Sequence, residues 1–165
     1  MDGLRGQLIA FAEPDSTSGF FLPKAFLVSS GFTASERTTA SEIPSSEVGY
    51  IISGSDENVV SFVLHGSAVG GALEFDAYDG LKAEDKDQLK VLAQTQDIPR
   101  SLMMASPTMS SALHDRLISL LKAAGQTEEG KAVMKSAKKT GQFDDLPLGP
   151  DGTMKFLQDL FAPVE

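Results

Sequence analysis

Three consecutive hydroxyl residues, Ser16, Thr17 and Ser18, stand between Asp15 and Gly19. Before them the apolar run Leu8–Ala12 is stopped by Glu13-Pro14-Asp15, which reads as a buried strand leading into a loop. After them Phe20, Phe21, Ala25, Phe26 and Val28 recur near helical spacing as far as Gly31, a residue suited to the position just past a helix end. Pro23 falls in the first turn or so, where its missing N–H does no harm. Strand, hydroxyl-rich turn and helix would bring three O–H donors beside the free N–H groups of the first helical turn. Together with the helix dipole, such donors suit a phosphate-like oxyanion. The same hydroxyls could equally do no more than cap the helix, and spacing alone leaves both readings open.

Other chemistry finds less support. Ser16 or Ser18 with His65 or His114 and an aspartate would supply nucleophile, base and orienter, yet their order fits no hydrolase elbow and G-x-S-x-G is absent. The glycines of 66–71 lack the G-x-G-x-x-G spacing, and there is no G-x-x-x-x-G-K-[ST]. Met103, Met104 and Met109 could be imagined as soft-metal ligands, but apolar core or hinge packing is the simpler expectation. With no cysteine and two histidines, neither a disulfide framework nor a multi-histidine metal centre is expected, and no cofactor is called for. The 14 basic and 23 acidic residues give a net charge of −9, which argues against a general grip on nucleic acid or anionic membrane. A site made of neutral donors is compatible with that charge, since Arg5, Lys24 and Arg37 are the only fixed cations in residues 1–75. No apolar run approaches the roughly 18 residues of a membrane span, so direct membrane insertion is not expected. Met1–Gly6 and Leu8–Ala12 are too short for an export signal.

The elements that would position these residues can be read along the chain. Its 165 residues, 41% hydrophobic and 22% charged, suit one globular domain or two small lobes. Thr33–Glu47 reads as loop with at most a short helix, and Val48–Ser53 as a strand. Ser55 or Asp56 can cap a second helix, whose Val59, Val60, Phe62, Val63 and Leu64 form its apolar face up to Gly66. Val69–Phe75 follows as a glycine-rich strand, and the β-α-β-α-β order places the fold in the α/β class, with a parallel or mixed sheet covered by helices. Beyond it the pattern predicts a short helix over Asp76–Leu81, a solvated turn over Lys82–Lys90, and strands at Val91–Thr95 and Ser101–Ala105. Helices are then expected from Ser110 to Gly125, from Thr127 to Gly141 with Lys135, Lys138 and Lys139 toward its end, and over Met154–Phe161 after the connection Asp144–Gly152.

At this point a family likeness is visible. The run from Gly6 to Pro23, with Ser16-Thr-Ser-Gly19 at its centre, resembles the second lobe of substrate-binding proteins of phosphonate, phosphite and phosphate ABC importers. Ser53–Val60, Gly70–Phe75, Leu89–Thr95, Ile98-Pro99, Leu117–Leu121 and Glu129–Met134 match in register, individually more weakly. The resemblance implies a type II periplasmic-binding-protein-like lobe with a mixed, largely parallel sheet flanked by helices, plus C-terminal helices. It implies residues 5–95 as that second lobe and 96–165 as hinge return and C-terminal helical segment. It implies a noncatalytic, periplasmic protein that hands its ligand to an ABC permease, with Ser16, Thr17 and Ser18 donating to the oxyanion.

Two departures accompany it. Where the family has a ligand-contacting histidine, this chain has Asp56; an ionised aspartate would repel a phosphonate, so Asp56 either turns away as a cap, meets a cationic part of the ligand, or signals a different ligand. Glu74 stands where the family often places an acidic or polar ligand residue, and could receive an amino group or be an exposed strand-end carboxylate. The sequence also begins near the crossing into the second lobe, so the expectation is a chain truncated relative to the family, with weakened ligand binding. The Leu113/Leu117/Leu121 stripe would then need another surface, in this chain or in a homodimer. The alternative function is a ligand-sensing or interaction module of a signalling protein built on the same lobe.

Overall fold

A computed structural model describes residues 2–38, 43–99, 101–136 and 141–164. The chain divides into two compact units, Met1–Gln96 with Lys155–Glu165, and Asp97–Met154.

The first unit is built around β1 (Leu8–Phe11), all four residues of which are buried. It pairs in parallel with β3 (Glu47–Ile52) on one edge and with β4 (Gly70–Gly71) on the other, and β2 (Thr33–Glu36) extends the sheet beyond β3, giving the order β2-β3-β1-β4. The sheet is wholly parallel rather than mixed among the described residues. Strand alternation sends Ile9 and Phe11 to one face, where they join Val48, Tyr50, Phe20, Leu27 and Phe32. Ala10 and Ala12 go to the other and meet Val59 and Ala68. The first face is covered by α1 (Leu22–Ser29) and the second by α2 (Asp56–Leu64). This division follows from the crossovers. The chain runs from β1 past β3 to β2, then from β3 past β1 to β4, in opposite directions along the sheet, and right-handed crossovers then place the helices on opposite faces. The reversal leaves a crevice outside the carboxyl ends of β1 and β3.

The boundaries have local causes. Helix α1 ends as the sequence suggests: Gly31 takes φ 83°, and Phe32 N–H reaches back to the Leu27 carbonyl at 3.0 Å. Its apolar face is buried through Leu22, Ala25 and Leu27. Gly71 keeps α2 close to the sheet, because a Cβ there would strike the Val59 side chain and lie 2.9 Å from the Ala10 carbonyl oxygen.

Several expectations are corrected. Thr33–Glu36 is a strand rather than loop; its polar sequence suits an edge, where Ser35 Oγ and Arg37 Nη2 both bond the Glu47 carboxylate, at 2.7 and 2.8 Å. Residues 39–42 of that expected loop lie outside the described residues. Strand β4 has two residues instead of seven, and α3 (Phe75–Asp79) takes over its last position. The segment expected as a solvated turn contains α4 (Ala83–Lys86). Neither Val91–Thr95 nor Ser101–Ala105 is a strand. Apolar residues form strands where a sheet edge accepts their backbone, and here Val91, Leu92, Met103 and Met104 stay exposed, which also overturns core packing for the two methionines.

In the second unit α5 (Ser111–Ala124) is capped by Ser110 Oγ, and α6 (Glu128–Ser136) by Thr127 Oγ1, which accepts the Gly130 N–H at 3.1 Å. Lys138 and Lys139 lie outside the described residues. The last helix, α7 (Gly149–Phe161), starts earlier than its apolar stripe suggests. Its end belongs to the first unit, where the Phe161 ring meets Phe21 edge-on with centroids 6.0 Å apart.

Phe11 is the hinge of the aromatic core, 1% exposed with its ring 5.5 Å from Phe20 and 5.2 Å from Tyr50. Phe11→Ala is expected to destabilise the first unit by about 3–5 kcal/mol, the cost of a large buried truncation. A urea titration followed by far-UV circular dichroism would show it, and a loss under about 1 kcal/mol would contradict this account of the core.

Candidate functional site

Residues Ser16, Thr17 and Ser18 sit at the carboxyl end of β1, and the turn they make is closed at both ends. Ala12 N–H bonds the Gly19 carbonyl at 3.1 Å, and Ser16 N–H bonds the Glu13 carbonyl at 3.1 Å. Ser16 is the N-cap, with φ −77° and ψ 122°, and its Oγ accepts the Gly19 N–H at 3.0 Å. The helix begins as a wide π turn over Thr17–Phe21, with Phe21 N–H reaching the Ser16 carbonyl at 3.1 Å, and continues into α1. Thr17 and Ser18 supply the first N–H groups of this helix, which have no carbonyl one turn behind them. Thr17 is exposed, while Ser16 and Ser18 are half-buried.

The capping reading of the hydroxyl run holds for Ser16. Ser16 is a helix cap, yet its own O–H is free to donate because its oxygen is used only as an acceptor. Ser18 Oγ donates to Glu74 Oε1 at 2.9 Å, tying the turn after β1 to the connection after β4. Gly19 is sterically required, since a Cβ would stand 2.7 Å from Ala12 Cβ and 2.9 Å from Ser16 Oγ.

Asp56 enters from the third strand end. The cap of α2 is Ser55, whose Oγ accepts the Asn58 N–H at 3.2 Å, so Asp56 is the first helical residue and not the cap. Two residues not singled out from the sequence brace this loop: Ser53 Oγ donates to the Phe11 carbonyl at 2.9 Å, and Asn58 Nδ2 to the Ser53 carbonyl at 2.7 Å. The signal was the Ser-Gly-Ser turn with Asn three residues past its cap. The loops after β1, β3 and β4 are thus linked through Ser53, Ser18 and Glu74.

The electrostatics are acidic. Asp56 Oδ1 is sealed from solvent and has no hydrogen-bond partner among the described residues. Its carboxyl is pushed above the ordinary value, first by burial and then by the charges of Glu74, Glu57 and Glu13; the backbone N–H of Glu74 pulls more weakly the other way. The adjacent Glu57, at the same helix end but exposed, is held below its ordinary value by its own backbone N–H and by Ser55. The two share one helix dipole, so burial and the neighbouring acids make the difference. The three fixed cations of residues 1–75 are occupied elsewhere. Arg5 bonds the carbonyls of Ser46 and Gly31, Lys24 lies over the Phe20 and Tyr50 rings, and Arg37 pairs with Glu47.

A cavity of about 240 Å³ adjoins Asp56 and is lined also by Glu57, Val60, Asp76 and Leu81. A larger one, about 350 Å³, lies against Leu22, Phe26, Gln94 and Leu160 and contains none of the site residues. His65 is the C-cap of α2, at the opposite end of that helix from Asp56, with Nδ1 against the Ser61 carbonyl. His114 lies against Asp115 in the second unit. Among the described residues His65 is not hydrogen-bonded to Ser16 or Ser18. Among the described residues no group of three or more histidines, aspartates or glutamates could hold a metal ion, and no described helix is long and apolar enough to cross a membrane.

In open parallel α/β sheets ligands bind outside the carboxyl ends of the strands, which is where this lobe has its hydroxyl-rich helix start. The family of ABC-transporter phosphonate periplasmic substrate-binding proteins matches residues 1–145, and the chain belongs to it. Its fold is similar to XAC2383 from Xanthomonas citri, solved bound to ATP, with 29% identity and a TM-score of 0.79 over 99% of this chain and 60% of that one. The same protein bound to chloride ion matches with a TM-score of 0.77 and 29% identity over 99% of this chain and 59% of that one. The chain thus spans about 60% of the length of these relatives. No match was found among curated proteins.

Folding raises the Asp56 carboxyl above its ordinary 3.8, so the stability this group lends is fully present below that pH and is lost as pH rises through the folded value. Asp56→Asn is therefore expected to raise the urea midpoint at about pH 7, with the gain shrinking toward about pH 4. An equal effect at both pH values would remove the buried charge from this account.

Proposed function

We propose that this chain is the ligand-holding part of a solute-binding component of an ABC importer. Its ligand is an organic oxyanion of the phosphonate type, bound without catalysis in the periplasm and passed to a membrane permease. In this reading residues 5–95 form the lobe that carries the site and 96–165 the returning hinge and helical segment.

The observation that carries the reading is the Ser16–Ser18 turn at the carboxyl end of the central strand, with Thr17 exposed and Asp56 and Glu74 at the two neighbouring strand ends. Neutral O–H and N–H donors hold an oxyanion by short-range hydrogen bonds and need no cation. The acids beside them select what the oxyanion is attached to. With the Ser18 hydroxyl already given to Glu74, the donors left for an oxyanion are the Ser16 and Thr17 hydroxyls and the first N–H groups of the turn. A ligand with an ammonium group a few bonds from its phosphonate satisfies these and Glu74 together, whereas a bare dianion meets the carboxylates with no compensating charge. The ATP held by the Xanthomonas relative adds phosphate on a larger organic carrier to the classes worth testing.

Calorimetry or NMR titration with 2-aminoethylphosphonate, methylphosphonate, phosphate, sulfate and ATP is expected to place 2-aminoethylphosphonate first. Thr17→Ala leaves the cap of the helix intact and should weaken binding roughly tenfold to hundredfold, as for a lost hydrogen bond to a charged group. Ser16→Ala adds a loss of about 1 kcal/mol in stability from the missing cap. Unchanged binding in Thr17→Ala and Ser16→Ala together would overturn the site assignment, and a preference for ATP over every phosphonate would reassign the ligand class.

A further inference from the structure

The three hydroxyls of the turn after β1 do not share one task. Successive residues of a helical turn point about 100° apart, so three in a row cannot all face one spot. Ser16 Oγ accepts the Gly19 N–H at 3.0 Å and belongs to the cap. Thr17 is exposed. Ser18, half-buried, donates from Oγ to Glu74 Oε1 at 2.9 Å, joining residues 56 positions apart in the chain. A serine hydroxyl has a single proton to give, and the one directed at Glu74 is not available to an oxyanion at the same time.

Glu74 reaches this contact from a fixed backbone. It stands at the N-cap of α3 with φ −60° and ψ 147°, and its carbonyl oxygen accepts the Tyr78 N–H at 3.0 Å. Its carboxylate makes no capping bond to that helix and turns to Ser18 instead. The bond therefore ties the helix start after β1 to the helix start after β4. An exposed glutamate left to itself loses rotamer freedom when it grips a ligand, whereas one already held loses less. Held through Oε1, the carboxylate keeps Oε2 and the remaining lone pairs for a further donor. None of the ion pairs formed among the described residues includes Glu74. Because Glu74 touches the residue next to Thr17, an oxyanion on the Thr17 hydroxyl lies one residue away from this carboxylate.

Resting on the oxyanion reading of the turn, we infer that Ser18 is a positioning residue and not an oxyanion donor. Its hydroxyl holds the Glu74 carboxylate beside the turn, where that carboxylate receives the ammonium group of a zwitterionic ligand. The oxyanion of the same ligand sits on the Ser16 and Thr17 hydroxyls and the first N–H groups. Ser18 acts through Glu74, and what it sets is the preference for an oxyanion that carries a cation over one that does not. Thr17, by contrast, serves both kinds of ligand alike.

The test uses the full chain and two probes alike in their oxyanion, 2-aminoethylphosphonate with an ammonium group and methylphosphonate without one. Shifts of the Ser16–Gly19 amides followed by NMR give a dissociation constant for each. The ratio of the two is compared between variants at one pH, so that the ionisation of the probes cancels. Glu74→Gln is expected to lower the preference for 2-aminoethylphosphonate roughly tenfold to hundredfold, as for a lost hydrogen bond between charged groups. Ser18→Ala keeps the carboxylate but releases it, and should lower the preference about threefold to tenfold. In a chain that already carries Glu74→Gln, Ser18→Ala should lower it no further. Thr17→Ala should weaken both probes by the same factor. A ratio left unmoved by Glu74→Gln or by Ser18→Ala, including equal weakening of both probes as an oxyanion donor would give, overturns the inference and leaves the oxyanion site standing. Full additivity of the two substitutions overturns it as well. Wild-type amides that respond to neither probe overturn the oxyanion site itself. Should Ser18→Ala not fold, Ser18→Cys takes its place, a side chain of nearly the same shape whose thiol is a weak donor.

Discussion

The site depends on one constraint, the burial of β1 on both edges and both faces. A strand with parallel partners at Gly49–Ile52 and Gly70–Gly71 and helices above and below has its backbone fully committed until Ala12. The chain must then leave the sheet abruptly and begin a helix that covers one face. That exit is held by Ala12 N–H on the Gly19 carbonyl and by Ser16 Oγ on Gly19 N–H, a loop so tight that position 19 has no room for a Cβ. The donors of Thr17 and Ser18 are therefore placed by the packing of the core, through Phe11 and Phe20, rather than by a loop free to move. Preorganised donors of this kind lose little conformational entropy when a ligand arrives.

Parallel pairing has a second consequence. Because β1, β3 and β4 all point the same way, the loops that follow them open at the same end of the sheet, and residues 16–18, 56 and 74 become neighbours despite the distance between them in sequence. Ser53 on the Phe11 carbonyl and Ser18 on Glu74 then join these loops across the crevice. A site assembled from three strand ends has its geometry fixed by the register of the sheet. Altering the fit of α2 against Gly71 would disturb Asp56 at the helix start as surely as a change beside it.

What could be read from the sequence was what local chemistry decides. The apolar run Leu8–Phe11 was a strand, the hydroxyl turn began a helix, Gly31 ended it and Ser55 capped the next, because strands buried on both faces and helix caps depend on a few adjacent residues. The edge strand Thr33–Glu36 was not legible, since its polar residues become a strand only when β3 offers a partner edge. Val91–Thr95 and Ser101–Ala105 carry the composition of strands and find no edge, so composition misled there. At the candidate site, five residues could be singled out by type and spacing, but the orphaned oxygen of Asp56 and the bond from Ser18 to Glu74 could not be read from the sequence, because both arise between segments far apart in the chain.

The acidity of the chain, with its net charge of −9, takes on a different meaning at this site. In the proposed reading long-range attraction contributes little to holding an anion, because Arg5, Lys24 and Arg37 are engaged with carbonyls, rings and Glu47 while Glu13, Asp56, Glu57 and Glu74 gather near the strand ends. Recognition in that reading comes from contact, through hydrogen bonds to the neutral donors of the turn. On the proposed function the same carboxylates would discriminate among anions, favouring one that carries a cation to meet them. Selectivity in the proposed reading is thus a matter of what accompanies the oxyanion.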